Sequence, residues 1–230
     1  MRKAHALLLT LLLWPAPLLA FPPYRSTDAE TAAPWTLETR LGLLRVRHDG
    51  PDTTYISPLL RLNLGLPTDV EIVSELEHRA DESGDDDAAV GCKWVPIHWG
   101  VDVGVETLAL LPIADGPGGA GVESQLLASV RRDAWRMHVN AGGIYDGRPA
   151  PSESGWRSSA LVEYRTGRWK PGVEIFAKRL TGGELEMLAG SGLIVDIGRF
   201  DIRIGVHAGL TDASPDLTTN LWVATKFDLR

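Results

Sequence analysis

Phe200-Asp201-Ile202-Arg203-Ile204-Gly205-Val206-His207 alternates apolar and polar side chains without a break. Period-two alternation marks a β-strand with one face in apolar and the other in polar surroundings. The pattern continues outward from this octet. Leu221, Val223, Thr225 and Phe227 alternate with Asn220, Lys226 and Asp228 on one side of it. Far upstream, Trp135, Met137, Val139 and Ala141 alternate with Arg136, His138 and Asn140, and Trp35, Leu37, Thr39, Leu41 and Leu43 with Glu38, Arg40 and Gly42.

Twelve such runs are legible: 35–47, 54–66, 69–79, 88–96, 99–111, 121–131, 135–145, 156–166, 169–179, 184–197, 200–209 and 219–229. Most have ten residues or more. Globular strands average about 5–6 residues, whereas a tilted strand needs about 9–11 to cross a membrane. No window carries an apolar stripe of helical period, so almost no helix is expected. Connections after even-numbered runs are short (Pro67-Thr68, Ile97-His98, Arg132 to Ala134, Gly167-Arg168, Gly198-Arg199). Those after odd-numbered runs are mostly longer: 48–53, 80–87, 112–120, 146–155, 180–183 and 210–218. Short periplasmic turns, longer outer loops and an even strand count belong to transmembrane barrels. The expected fold is all-β, an antiparallel transmembrane β-barrel of about 12 strands.

The start of the chain reads as an export signal. Met1-Arg2-Lys3 is basic, Ala6 to Trp14 is apolar, and Leu18-Leu19-Ala20 offers a cleavage point. Residues 1–20 are therefore assigned to a signal peptide, 21–34 to a Pro-rich, loose periplasmic leader arm, and 35–230 to the barrel. The net charge of −7 and the lack of a basic stripe argue against nucleic acid. The single Cys92 excludes an internal disulfide scaffold. Lipid offers no partner to an open sheet edge, so an exported chain without helical spans enters a membrane only as a closed barrel.

The aromatic residues gather at one end of the runs. Trp35, Trp99, Trp135, Trp169 and Phe200 open odd runs, Trp94, Tyr164 and Phe227 close even ones, and all share the apolar parity; Trp222 does not. These positions are expected to form a lipid-interface girdle at the periplasmic end. The opposite parity is expected to line a polar lumen: Glu38, Arg40, Arg61, Glu71, Glu75, Asp102, Glu106, Arg136, His138, Asn140, Arg157, Glu163, Arg165, Glu174, Lys178 and Arg203. Both signs are interspersed, as enclosed charges require. Twelve strands enclose a lumen between the filled eight-stranded case and the sixteen to eighteen of open porins, so the passage is expected to be narrow or gated.

Catalytic signatures are missing from the sequence. None of the six histidines has Ser two places on, and neither Gly-x-Ser-x-Gly nor His-Glu-x-x-His occurs. The acidic stretch Asp81, Glu82, Asp85, Asp86 and Asp87 does not have the spacing of an EF-hand. No catalytic residue, metal site or cofactor is assigned, and the chain is not expected to be an enzyme.

Several stretches resemble the outer-membrane barrels grouped as transporters of the MetA-pathway-of-phenol-degradation type. They are the leader from Pro22 to Thr31 followed by Trp35 and Glu38, then Asn63-Leu64-Gly65-Leu66-Pro67-Thr68-Asp69-Val70-Glu71, Gly91-Cys92-Lys93-Trp94, and Gly209-Leu210-Thr211-Asp212. The resemblance implies an outer-membrane channel for small hydrophobic or aromatic compounds and brings no catalytic residues. Membrane lipid, a small-molecule solute and the barrel-assembly machinery are the partners expected. Many outer-membrane barrels end in an aromatic residue, whereas this sequence ends Phe227-Asp228-Leu229-Arg230. Two rival readings stay open: a structural or adhesion barrel with a shut lumen, and a soluble secreted β-barrel or sandwich holding a small apolar ligand.

Overall fold

The alternating runs form twelve strands, seen in a computed structural model that describes residues 22–79, 87–112, 119–149 and 151–230. The strands are β1 (Thr36–Asp49), β2 (Asp52–Leu66), β3 (Val70–Arg79), β4 (Asp87–His98), β5 (Asp102–Pro112), β6 (Gly121–Arg132), β7 (Trp135–Asp146), β8 (Glu153–Tyr164), β9 (Trp169–Leu180), β10 (Leu185–Ile197), β11 (Phe200–Gly209) and β12 (Leu217–Asp228). Each pairs antiparallel with its sequence neighbours, and β1 closes on β12 with Thr36 opposite Asp228 and Leu41 opposite Val223. Closure removes the exposed edges of the sheet. The signal peptide expected over 1–20 lies outside the described residues, as does most of the acidic stretch.

The connections at one end are tight. Gly198-Arg199 joins β10 to β11, with Gly198 at a φ of 64°, a left-handed value that a side chain disfavours. At the other end most connections are longer, though 181–184 has four residues, as many as 165–168 at the tight end. The first, expected over 48–53, is only Gly50-Pro51, because β1 and β2 pair out to Asp49 opposite Asp52. The short-turn end is taken as periplasmic, by the convention of transmembrane barrels.

The two faces of the wall settle which side meets lipid. Among the described residues, the three largest fully buried side chains are Arg40, Arg203 and Lys93, all pointing inward. Leu41, Leu126, Val139, Val173 and Ile204 are exposed on the outside. The outward described positions between the ends of the strands carry apolar, small or hydroxyl side chains and no Asp, Glu, Lys or Arg. A soluble barrel has the opposite arrangement, so the water-soluble alternative is set aside.

Trp35, Trp94, Trp135, Trp169, Phe200 and Phe227 project outward at the short-turn end, and the Trp135 and Tyr164 rings meet with centroids 4.7 Å apart. Trp35 lies in the turn just before β1, and Trp99 does not open β5. It sits in the turn before that strand and is 92 % exposed. Tyr55, Tyr145 and Trp156 form a second, outer group of exposed aromatics that the sequence analysis did not single out. Trp135 and Tyr145 are ten residues apart on one strand. That is roughly 33 Å of strand, or about 25 Å of height at a tilt near 40°, the apolar thickness typical of such barrels.

Three bulges, between Gly42 and Leu44, Ile56 and Leu59, and Trp94 and Ile97, shift the parity locally. The second turns Ile56 inward, although alternation alone places it with the outward Leu60 and Leu62. There it packs with Leu59 and Trp222. Trp222, off parity for the girdle, is an inner-wall residue lying over Gly42.

Val139, midway along β7 and 56 % exposed, tests the lipid-facing assignment. Val139→Arg is expected to lower stability by about 2–4 kcal/mol in urea unfolding from lipid vesicles, while Val139→Leu leaves it unchanged. Equal stability of the two variants contradicts the assignment.

Candidate functional site: the lumen and its internal arm

The inner wall is a set of partnered charges. Arg203 grips Asp201 through Nε and Nη2 at 2.8 and 2.9 Å and reaches Glu38 at 3.2 Å. Glu38 also accepts from Arg40 at 2.8 Å, with Lys226 at 3.7 Å. Across the barrel, Lys93 stands 3.5 Å from Glu71, and His138 pairs with Glu163 at 3.2 Å. Strand-to-strand register brings these groups together: Arg136 lies opposite Glu163, and Glu71 opposite Lys93. Removing one member of such an enclosed pair typically costs 3–5 kcal/mol, since it strands the other.

The lumen-lining candidates fall on the inward side of their strands, most of them buried. Arg165 differs. β8 ends at Tyr164, so Arg165 sits in the short turn that follows, its N–H bonded to the Ala134 carbonyl. Burial and the Arg136 charge lower its pKa.

The largest departure from expectation is the leader. Residues 22–34, expected as a loose arm outside the barrel, lie inside it from Pro22 to Ala32, almost wholly buried. The physical reason is visible bond by bond, because an enclosed backbone must find partners for its N–H and C=O groups. Here the wall side chains supply them. The Ala32 N–H donates to Glu71 of β3 at 2.7 Å, and the Ala29 N–H to Ser129 Oγ of β6 at 2.8 Å. Thr27 and Asn140 of β7 exchange two bonds, at 3.1 and 2.9 Å. The Arg25 N–H donates to Glu174 of β9 at 2.8 Å, and Ser26 gives Glu174 both its N–H and its hydroxyl. Asn220 and Arg203 donate to the carbonyls of Pro23 and Pro22, both at 3.1 Å. β3 and β9 are six strands apart in a ring of twelve, hence opposite walls. The six-residue step from Ser26 to Ala32 reaches about 20 Å when extended, enough to cross the lumen between the two glutamates.

Charge and shape fix the arm as well. Glu30 stands 2.9 Å from both Arg131 and Arg136, while Asp28 meets Lys93 at 3.2 Å. Burial, with Asp28 nearby, raises the Glu30 pKa despite the two arginines. A Cβ on Gly192 would come within 2.6 Å of the Tyr24 ring and 2.7 Å of Pro23, and one on Gly172 within 2.5 Å of Tyr24 Oη. Inner-face glycines on adjacent strands mark a close backbone approach. They were the one sequence signal that could have revealed the docked arm.

A hydrogen-bonded chain on the wall also escaped the motif search, because its members come from three strands. Ser129 Oγ accepts from the Ala29 N–H and shares a hydrogen bond with His138 Nδ1 at 2.7 Å, and His138 Nε2 faces Glu163 at 3.2 Å. The order Ser–His–carboxylate matches that of nucleophilic triads. Ser129 is only 1 % exposed and its oxygen already bonds the arm, so this chain holds Ala29 in place.

Above the arm lies a cavity of 270 Å³ floored by Pro22, Tyr24 and Arg25. Its wall carries the pairs Arg45–Glu77 at 2.8 Å and Arg157–Glu123 at 2.6 Å, and Arg61, which holds both Glu75 and Glu106. Arg25 and Arg157 both lie over the Phe176 ring, at 5.3 and 5.1 Å. Burial and the Arg45 charge pull the Arg25 pKa down to about 10, which still leaves it cationic at neutral pH.

No protein-family model and no curated protein matches the chain. Solved structures do share its fold. The NanC porin aligns at a TM-score of 0.65 with 10 % identity, over 83 % of this chain and all of that one. The COG4313 outer membrane channel from Pseudomonas putida F1 aligns at 0.61 and 10 %, over 94 % of this chain and all of that one. The KdgM porin aligns at 0.61 and 10 %, over 84 % of this chain and 99 % of its own.

Gly192→Val should expel Tyr24 and Pro23 without unfolding the barrel. Trypsin is then expected to cut after Arg25 in the variant and to spare that bond in the wild type, as read by N-terminal sequencing. Equal resistance of the two proteins contradicts the glycine cradle. The closed twelve-strand fold, shared at this low identity, is that of outer-membrane porins and channels.

Proposed function

We propose that this protein is an outer-membrane channel for small solutes whose passage is narrowed, and gated, by its own N-terminal arm. The observation carrying this reading is the arm itself, bound to opposite walls across a lumen whose wall carries many paired ionic side chains. A polar, water-compatible interior inside an apolar exterior suits a conduit. The shared fold of porins and channels, together with the short motifs resembling the phenol-degradation-pathway transporters, supports the same reading.

The solute is small and at least partly polar. The free space above the arm is 270 Å³, at the lower edge of ordinary small-molecule sites. Its lining combines the ionic pairs with Leu108, Leu110 and Trp222. The purely hydrophobic solutes implied by the family resemblance fit this lining less well than amphipathic ones.

Deletion of residues 22–33 tests the gate. Single-channel conductance in a planar bilayer is expected to rise severalfold over the wild type, with heat-modifiable gel migration preserved. A deletion variant that folds but stays silent overturns the channel reading and favours the structural barrel with a shut lumen.

A further inference from the structure

The cavity above the arm holds one cation that is partnered differently from the others. Arg45, Arg61 and Arg157 each reach a carboxylate, as described above. Arg25 spends its backbone N–H on Glu174 and its carbonyl on Arg157, while its guanidinium, which lines the cavity, meets only the face of Phe176. No carboxylate among the described residues lies within ion-pair distance of it. Arg25 is also the one residue from Pro22 to Glu30 that is not fully buried.

Trp222, 4 % exposed, adds an aromatic ring to the lining, its indole nitrogen enclosed within the wall. Five strands round the barrel from it, Leu108 and Leu110 of β5 give the cavity an apolar side. Guanidinium forks recognise carboxylates through paired N–H···O bonds.

From this juxtaposition we infer that the cavity is a binding subsite for a small carboxylate monoanion with an apolar body, its charge met by Arg25. The lining as a whole balances four arginines against four glutamates, Arg61 serving two of them, so the anion is met locally at Arg25, and the leucines receive the rest of the solute. The inference rests on the lumen being where solute is handled. It adds that the arm is part of the recognition surface as well as an obstruction: a channel that loses its arm loses this selectivity.

Benzoate is the probe, with benzamide as its uncharged counterpart, titrated calorimetrically into the full-length folded protein in detergent. Benzoate is expected to bind at least about tenfold more tightly than benzamide, and Arg25→Gln to remove that preference. Arg25→Lys is expected to keep part of it. Heat-modifiable migration of each variant confirms that the barrel is intact. Equal binding of benzoate and benzamide, or undiminished benzoate binding by folded Arg25→Gln, overturns the subsite. Single-channel recording on the same preparations separates the two readings. Benzoate binding to a protein that never conducts upholds the subsite and removes the channel, whereas conduction without benzoate binding does the reverse.

Discussion

Enclosed charge is the constraint that organises this molecule. A closed barrel with lipid outside must place its polar residues inside, where an unpartnered ion costs several kcal/mol. The wall meets this by pairing opposite signs across neighbouring strands, as Arg203 does with Asp201 and Glu38. Pairing within the wall does not use every group. Glu174, Asn140, Ser129 and Lys93 keep bonding capacity that the arm backbone and Asp28 take up. Wall and arm therefore satisfy each other, and the arm contributes to the interior as a thirteenth, irregular element of polar structure.

The same complementarity makes the arm's position both specific and reversible in principle. It is held by many hydrogen bonds and a few ion pairs, with apolar contacts at two places, Tyr24 against Leu161 and Ile194 and Ala29 against Val95 and Leu127. Hydrogen bonds of this kind contribute modestly each, about 0.5–1.5 kcal/mol net, since water offers an alternative. A segment held this way can be stable as an ensemble of bonds and still be exchanged for solvent. That balance suits a gate better than a permanent plug built on a greasy core. It also explains why the arm is rich in Ser, Thr, Asp and Pro: small polar groups and a stiff, extended backbone dock on side chains without needing a sheet.

Much of the barrel was legible in the sequence because one property, alternation, encodes three things together: strand, face and solvent. β11 and β7 read directly from their side chains, and their ends differ from the expected ones by no more than a residue. Alternation fails where a bulge resets parity, which is why Ile56 was placed outward and is found inward. It is also silent on residues whose role comes from strands distant in sequence. Ser129, His138 and Glu163 form one chain only after β6, β7 and β8 are aligned. The arm was misplaced for a related reason. Its composition is that of an exposed linker, and only the facing glycines and the acceptors of the wall make it an inside element.

Hydrogen exchange of individual arm amides measures the central claim most directly. The Ser26, Thr27, Ala29 and Ala32 N–H groups donate to wall side chains from β9, β7, β6 and β3. In the folded protein in lipid or detergent, these four amides are predicted to exchange orders of magnitude more slowly than an unstructured peptide. Exchange at free-peptide rates, in a barrel whose strand amides stay protected, would place the leader outside the lumen and contradict the account.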